Sequence, residues 1–205
     1  MEADRPAVSS LAEADLPAYQ AARRQRIIDA ARTLLEEQEY EQIQIRDVAA
    51  TAKFALGTVY RYFSSKEHLY AVVLRTWGSD FDRTSIRHQD EDDPMRRLEQ
   101  RMRSVLAAFE RRPHFFRALI LLQSSTDPNA VAHLAQFRDS VDDLVEADLA
   151  KLDPDGAAEY SVIVWAVLVN LLTRSIFHNM PMGEAYQINA RMAELLHFRF
   201  EHGKP

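Results

Sequence analysis

Apolar residues recur every three to four positions along most of this 205-residue chain, and no stretch shows the strict alternation of a half-buried strand. A chain patterned in this way must bury helical stripes against one another, so the expected fold class is all-α. Only 5 glycines are present beside many Ala, Leu, Arg and Glu, which favours helices. So few glycines leave little for phosphate-cradling loops, and no GxGxxG or GxxxxGK[ST] pattern occurs. The chain has no cysteine, which excludes a disulfide scaffold, a thiol nucleophile, a cysteine-held zinc and an iron–sulfur cluster.

The stripes follow in order. Ile27, Ile28, Ala31, Leu34 and Leu35 line a helix over 21–37. Arg23, Arg24 and Arg26 crowd its start, where the helix dipole disfavours cations; they either lie on a solvated face or meet an external anion. A short helix over 45–51 buries Val48 and Ala49, and a break near Lys53 leads to another over 56–62. Ser64-Ser65-Lys66-Glu67 reads as a capping box, with Glu67 reaching back, that opens a fourth helix carrying Leu69, Val72, Val73, Trp77 and Phe81. After an acidic linker at 90–93, Pro94 opens a helix carrying Met95, Leu98, Met102, Val105, Leu106 and Phe109. Further helices are expected over 113–123, from the cap-and-proline pair Asp127-Pro128, over 157–179, and over 184–202 after Pro181-Met182-Gly183. The organisation expected is a flexible acidic tail at 1–20, a small helical domain at 21–81, and a larger helical domain at 82–205.

Charge is uneven. The net charge is −6, yet residues 16–70 hold eight basic and seven acidic side chains, while 71–205 hold sixteen and twenty. A small DNA-reading segment on an acidic body fits this, as does an acidic enzyme. The N-terminus contains Glu2, Asp4, Glu13 and Asp15 without an apolar run, which does not resemble a targeting peptide. The most apolar run, 162–172, is eleven residues long and includes Asn170, short of the ~20 a membrane span needs. A cytoplasmic protein is expected, without membrane, metal or cofactor.

Two short helices around a tight break are the layout of a helix-turn-helix. The second reads Leu56-Gly57-Thr58-Val59-Tyr60-Arg61-Tyr62-Phe63. Val59 and Phe63, four apart, can bury together, which would leave Thr58, Tyr60, Arg61 and Tyr62 outside. Hydroxyls, a guanidinium and aromatic rings on one short helix suit phosphates and base edges. Gly57 permits close approach of a duplex, and Lys66 at a helix N-terminus can hold a phosphate. The competing reading makes Tyr60 and Tyr62 packing residues of a plain bundle.

The order Ile27-Ile28-Asp29-Ala30-Ala31, Ile45-Arg46-Asp47-Val48-Ala49, Gly57 to Phe63 and Ser65-Lys66-Glu67-His68-Leu69 resembles the tetracycline-repressor (TetR) family of bacterial transcriptional regulators over about 21–81. The resemblance implies a recognition helix at 56–62, Tyr60 and Lys66 on phosphates, and a ligand-binding, dimerising C-terminal domain. The DNA-contacting set expected from it is Gln44, Arg46, Lys53, Leu56, Gly57, Thr58, Tyr60, Arg61, Tyr62 and Lys66. Three positions depart from the family's habit. Gln44 stands where Ser or Thr caps the second helix, Lys53 where glycine makes the turn, and Ala55 where Ser opens the recognition helix. Lys53 held at positive φ would cost about 1 kcal/mol, and Ala55 forgoes a cap of roughly 1 kcal/mol. The Gln and Ala departures are similar to those of actinobacterial repressors of sterol catabolism, with a fainter likeness in Arg112-Pro113 and Asn170-Leu171-Leu172. That likeness implies steroid or acyl thioesters of coenzyme A as effectors.

The reading that follows is a repressor that binds a palindromic double-stranded operator as a homodimer and is released by a large apolar effector. The last two helices are expected to form the dimer interface. Phe109, Phe115, Phe116, Leu119, Leu122, Trp165 and Val169 are candidate pocket walls, with Asn170 and Arg174 as polar anchors; for each aromatic the competing role is core packing. Two other classes bear weighing. An enzyme would have to draw on His114, His133, His178 or His197, none of which stands in HExxH or beside a nucleophile at motif spacing. A helical adaptor would bind protein through an acidic face and no DNA.

Overall fold

The computed structural model describes residues 16–85 and 93–202, with 80–85 described by backbone alone. Helices make up 81 % of it, and the regular structure among the described residues is all helical, as the periodicity demands. In order these are α1 (Ala18–Glu37), α2 (Ile45–Ala52), α3 (Leu56–Tyr62), α4 (Lys66–Ser85), α5 (Pro94–Arg111), α6 (Pro113–Leu122), α7 (Pro128–Leu149), α8 (Ala157–Phe177) and α9 (Met182–His202). The acidic tail as far as residue 15, linker residues 90–92 and the side chain of Phe81 lie outside the described residues.

The chain gathers into two compact units. The first comprises Met1–Thr76 with Arg117–Gln136, the second Trp77–Phe116 with Phe137–Pro205, so that α4, α6 and α7 each contribute to both. In the first unit α1 packs on α2 and α2 on α3. Ile27, Leu35, Ile43, Val48, Val59, Phe63, Leu69 and Tyr70 are buried there, and the rings of Tyr40 and Tyr70 meet edge-on at 5.3 Å.

In the second unit α5 packs against α8 and α9, which also pack on each other. The apolar stripe read on α5 is the buried one, Met95, Leu98, Met102, Val105, Leu106 and Phe109. Asp93 caps this helix by accepting the Met95 N–H at 2.9 Å. Trp77 rests on Phe109 and Phe115, with ring centroids 4.9 and 5.2 Å apart, and Phe116 joins Phe109 to Phe177. Gly78 inside α4 has a packing reason: a Cβ there would lie 2.4 Å from Cε2 of Phe137. The ~1 kcal/mol that glycine costs a helix is offset by that close seat.

α8 spans 21 residues, close to the 157–179 expected, and around its eleven-residue apolar run the mean hydropathy reaches 1.6 over 18 residues, so length and composition alone would let it cross a membrane. Its inner face, Val164, Leu168, Leu171 and Leu172, is buried in the second unit, while Val162 and Ile163 stay 70 % and 50 % exposed.

One feature has no sequence signature. Asp148 on α7, almost wholly buried, accepts from Arg97 Nε through Oδ1 and from Arg101 through Oδ2, each at 3.1 Å. Removing the carboxylate would take from the buried Arg97 and the largely covered Arg101 their shared partner. Asp148→Ala is expected to destabilise the fold by about 3–5 kcal/mol, read as a fall in the urea midpoint with little change in slope. A loss below about 1 kcal/mol would mean the triad contributes no more than a surface pair.

Candidate nucleic-acid interface

α2 and α3 are too short to be stable alone and take their order from the first unit's core. Ile45, Val48, Ala49 and Ala52 bury one face of α2. Its start is held in reverse to the usual cap: the Gln44 N–H donates to the Asp47 carboxylate at 3.1 Å. Its end is a left-handed Lys53 at φ 60°. The Phe54 N–H reaches Ala49 O at 2.9 Å and the Lys53 N–H reaches Ala50 O at 3.1 Å, the bonding of a Schellman turn. The expected left-handed residue is therefore there, with lysine bearing the strain glycine would avoid. Ala55 begins α3 without a side-chain bond, as its chemistry requires.

The turn has a brace that sequence reading missed. Arg26 Nη2 donates to Ala52 O at 3.2 Å, and its guanidinium lies over the Phe54 ring at 4.8 Å. Arg24 is buried, 5.2 Å above the Phe63 ring. Of the three arginines crowding α1, these two serve the fold; Arg23 stays exposed over Tyr19 at 5.6 Å. Their poor fit to the helix dipole was the signal, and the partners lay 26 or more residues downstream.

Gln44, Arg46, Lys53, Leu56, Gly57, Tyr60 and Arg61 are all exposed, and Thr58 is half-exposed. A Cβ built on Gly57 would meet nothing within 4 Å, so the fold itself does not require glycine there. Tyr62 corrects the expectation. It is only 3 % exposed, because i and i+3 share a helix face and Tyr62 goes inward beside Val59. Phe63 is buried with them.

Lys66 also departs from its reading. Its Nζ donates to Tyr40 O and lies 4.1 Å from the centre of the Tyr40 ring. Burial holds it below the usual lysine range against the pull of Glu67 and Glu41. The capping box is differently built as well. Ser65 Oγ accepts the His68 N–H at 2.9 Å, and His68 Nδ1 accepts the Ser64 N–H at 3.1 Å, so His68 takes the part expected of Glu67.

The candidate ligand residues are divided between the two units. Phe109, Phe115 and Phe116 lie buried in the second unit, Phe109 edge-on to Phe116 and Phe115 against Trp77. Leu119 and Leu122 belong to the first, where Leu122 edges an open groove with Tyr40, Glu41 and Glu67. Trp165 is half-buried, while Val169, Asn170 and Arg174 lie on the exposed face of α8. The periodicity of α8 was legible, but not which side its core would take. Among the described residues, the buried atoms without a hydrogen-bond partner in the second unit include Ser161 Oγ, Trp165 Nε1 and Ser175 Oγ on α8 and Asn189 Oδ1 on α9.

The family described as bacterial regulatory proteins, tetR family, matches residues 27–73. The chain is 34 % identical to the HTH-type transcriptional repressor KstR of Rhodococcus jostii (strain RHA1), over 82 % of each chain. It is 31 % identical to the KstR repressor of Mycobacterium tuberculosis (strain H37Rv), over 72 % of this chain and 68 % of that one. Among solved structures, the fold is similar to the transcriptional regulator FadR from Bacillus subtilis in complex with stearoyl-CoA, with a TM-score of 0.67 at 15 % identity over 84 % of this chain and 96 % of that one. A TetR transcriptional regulator from Rhodococcus sp. RHA1 gives 0.64 at 22 % identity, over 88 % and 97 %.

The strain at Lys53 can be measured. Lys53→Gly is expected to raise stability by roughly 0.5–1 kcal/mol, a rise of a few degrees in Tm, since the gain of a left-handed backbone exceeds the loss of chain stiffness. A lower Tm would mean that the lysine side chain makes a stabilising contact that outweighs the strain.

Proposed function

The chain belongs to the tetR family of bacterial regulatory proteins, and from there we propose that it is a ligand-released repressor that reads a palindromic operator as a homodimer in the cytoplasm. The observation that carries the DNA reading is the split of α3. Val59 and Tyr62 go inward while Leu56, Gly57, Tyr60 and Arg61 stay outward. Tyr60 and Arg61 offer a hydroxyl and a guanidinium to phosphates, Leu56 and Thr58 suit base edges, and the open space beside Gly57 suits a duplex wall. Lys53, exposed at the turn, adds a cation to that set.

The dimer reading rests on apolar surface. Leu195 and Phe198 of α9 are 71 % and 63 % exposed, and Val162, Ile163, Val169 and Phe177 of α8 are exposed as well. Faces this apolar on a soluble regulator call for a cover, and a second copy supplies one with the two-fold symmetry of a palindrome.

The effector reading rests on the second unit's interior. Trp77 on α4 touches Phe109 on α5 and Phe115 on α6, so a ligand that parts these rings would tilt α4. The unpartnered atoms Trp165 Nε1, Ser161 Oγ and Asn189 Oδ1 are groups that a mostly apolar ligand with a few carbonyls or hydroxyls would satisfy. An acyl or steroid thioester is the class we favour; the similar FadR fold is described with stearoyl-CoA. Release by a hundredfold requires roughly 2.7 kcal/mol of preference for the DNA-incompetent state.

Selection of genomic fragments by the purified protein is the decisive experiment. It is expected to return one or a few related palindromes whose affinity falls steeply with salt. Tyr60→Ala should weaken binding to all sequences by roughly tenfold. Long acyl or steroid thioesters should release the fragment and small polar metabolites should not; the opposite pattern sinks the effector class. Failure to select any DNA would favour the adaptor reading. Sedimentation should give a dimer at micromolar concentration and monomer or aggregate for Leu195→Asp, and a stable unmutated monomer would contradict the interface.

A further inference from the structure

The connector between α3 and α4 is only Phe63-Ser64-Ser65, and its central residue is bonded 63 positions away in sequence. Ser64 Oγ donates to Asp127 Oδ2 at 2.9 Å and accepts from Asn129 Nδ2 at 3.0 Å. The other oxygen of Asp127 accepts the backbone N–H groups of Asn129 and Ala130 at 2.8 and 3.1 Å, which caps α7. His68, which accepts the Ser64 N–H, stacks on His133 of α7 with ring centroids 5.3 Å apart and planes within 13°. All of these residues lie in the first unit.

A cap for α7 would need only the Oδ1 half of this carboxylate. The Oδ2 half is spent on a connector that belongs to another part of the sequence. Partial burial pushes the Asp127 carboxyl up, but hydrogen bonds from Ser65, Ala130, Ser64 and Asn129 outweigh it and hold the group below the usual carboxylate range. It is therefore an anion at neutral pH, and its bonds to the serines are charge-assisted.

We infer that Asp127 is a positioning residue for DNA recognition: through Ser64 it fixes the α3–α4 connector and so the angle at which α3 presents Tyr60 and Arg61. This rests on the DNA-binding reading above. Asp127 is a negative charge in the unit that meets a polyanion, so Coulomb's law alone makes its removal neutral or favourable for any duplex. Positioning gives the opposite sign for the selected sequence, which separates the two.

The test compares the full chain with Asp127→Asn, Ser64→Ala and the double variant, on the fragment selected by the unmutated protein and on random duplex of equal length. Asparagine still caps α7, so the helix start is kept. Each single variant is expected to lose roughly tenfold on the selected fragment while random duplex binds as before or tighter. The double variant should lose no more than about twofold beyond either single, because both remove the same bond. Unchanged affinity of Asp127→Asn for the selected fragment, equal losses on both duplexes, or additive losses in the double variant would each overturn the inference while leaving DNA binding intact. If Asp127→Asn loses helix by circular dichroism, Ser64→Ala carries the comparison, since it leaves the α7 cap untouched. Failure of the unmutated protein to select any fragment overturns the reading of function first, and this inference with it.

Discussion

The order of the first unit around α3 depends on one face of a seven-residue helix being held in the core. A helix as short as α3 has almost no stability of its own. Its conformational cost is met by burying Val59 and Tyr62, with Phe63 just beyond them, among residues of the first unit. Because those positions are i, i+3 and i+4, the remaining residues have nowhere to go but outward. Tyr60 and Arg61 are thus displayed by the same packing that orders the helix, and buried and exposed faces are one consequence of one periodicity.

Around α3 the structure repeatedly uses polar groups to hold what apolar packing leaves loose. Arg26 braces the turn through Ala52 O and the Phe54 ring, Lys66 ties α4 to the Tyr40 carbonyl, and Asp127 ties the α3–α4 connector to the start of α7. They stand beside two weak local choices, the capless Ala55 and Lys53 at positive φ. The second unit follows different rules. Its interior holds a cluster of aromatic rings and an Arg97–Asp148–Arg101 triad, and its α8 and α9 surfaces carry exposed apolar side chains.

Local patterns were legible in the sequence; their long-range partners were not. The helices over α5 and α7 could be read from stripes and from Pro94 and Pro128, because period and first-turn chemistry act within a few residues. The left-handed turn at Lys53 was legible for the same reason. Tyr62 was misplaced because Val59 and Phe63 already accounted for an inward pair, and i+3 was not weighed beside i+4. Lys66 and the arginines of α1 were read as reaching outward because a cation's partner can be a carbonyl or a ring far along the chain, which no spacing rule encodes. Asn170 and Arg174 illustrate the same limit on α8. A helix that is apolar on most sides does not say which side is the inside, so polar residues expected in a pocket lie on the exposed face, while Ser161 and Asn189 are buried.

Residue-resolved amide hydrogen exchange of the free protein tests the central claim that α3 is ordered by its buried face before any ligand arrives. The amides at the end of α3, Tyr62 and Phe63, are expected to exchange as slowly as those of Ile27 and Val48 in the same core, with little further slowing when the selected duplex is added. Exchange of α3 at unprotected rates in the free protein, with protection appearing only on DNA, would contradict it: the helix would then be folded by its target and not by Val59, Tyr62 and Phe63.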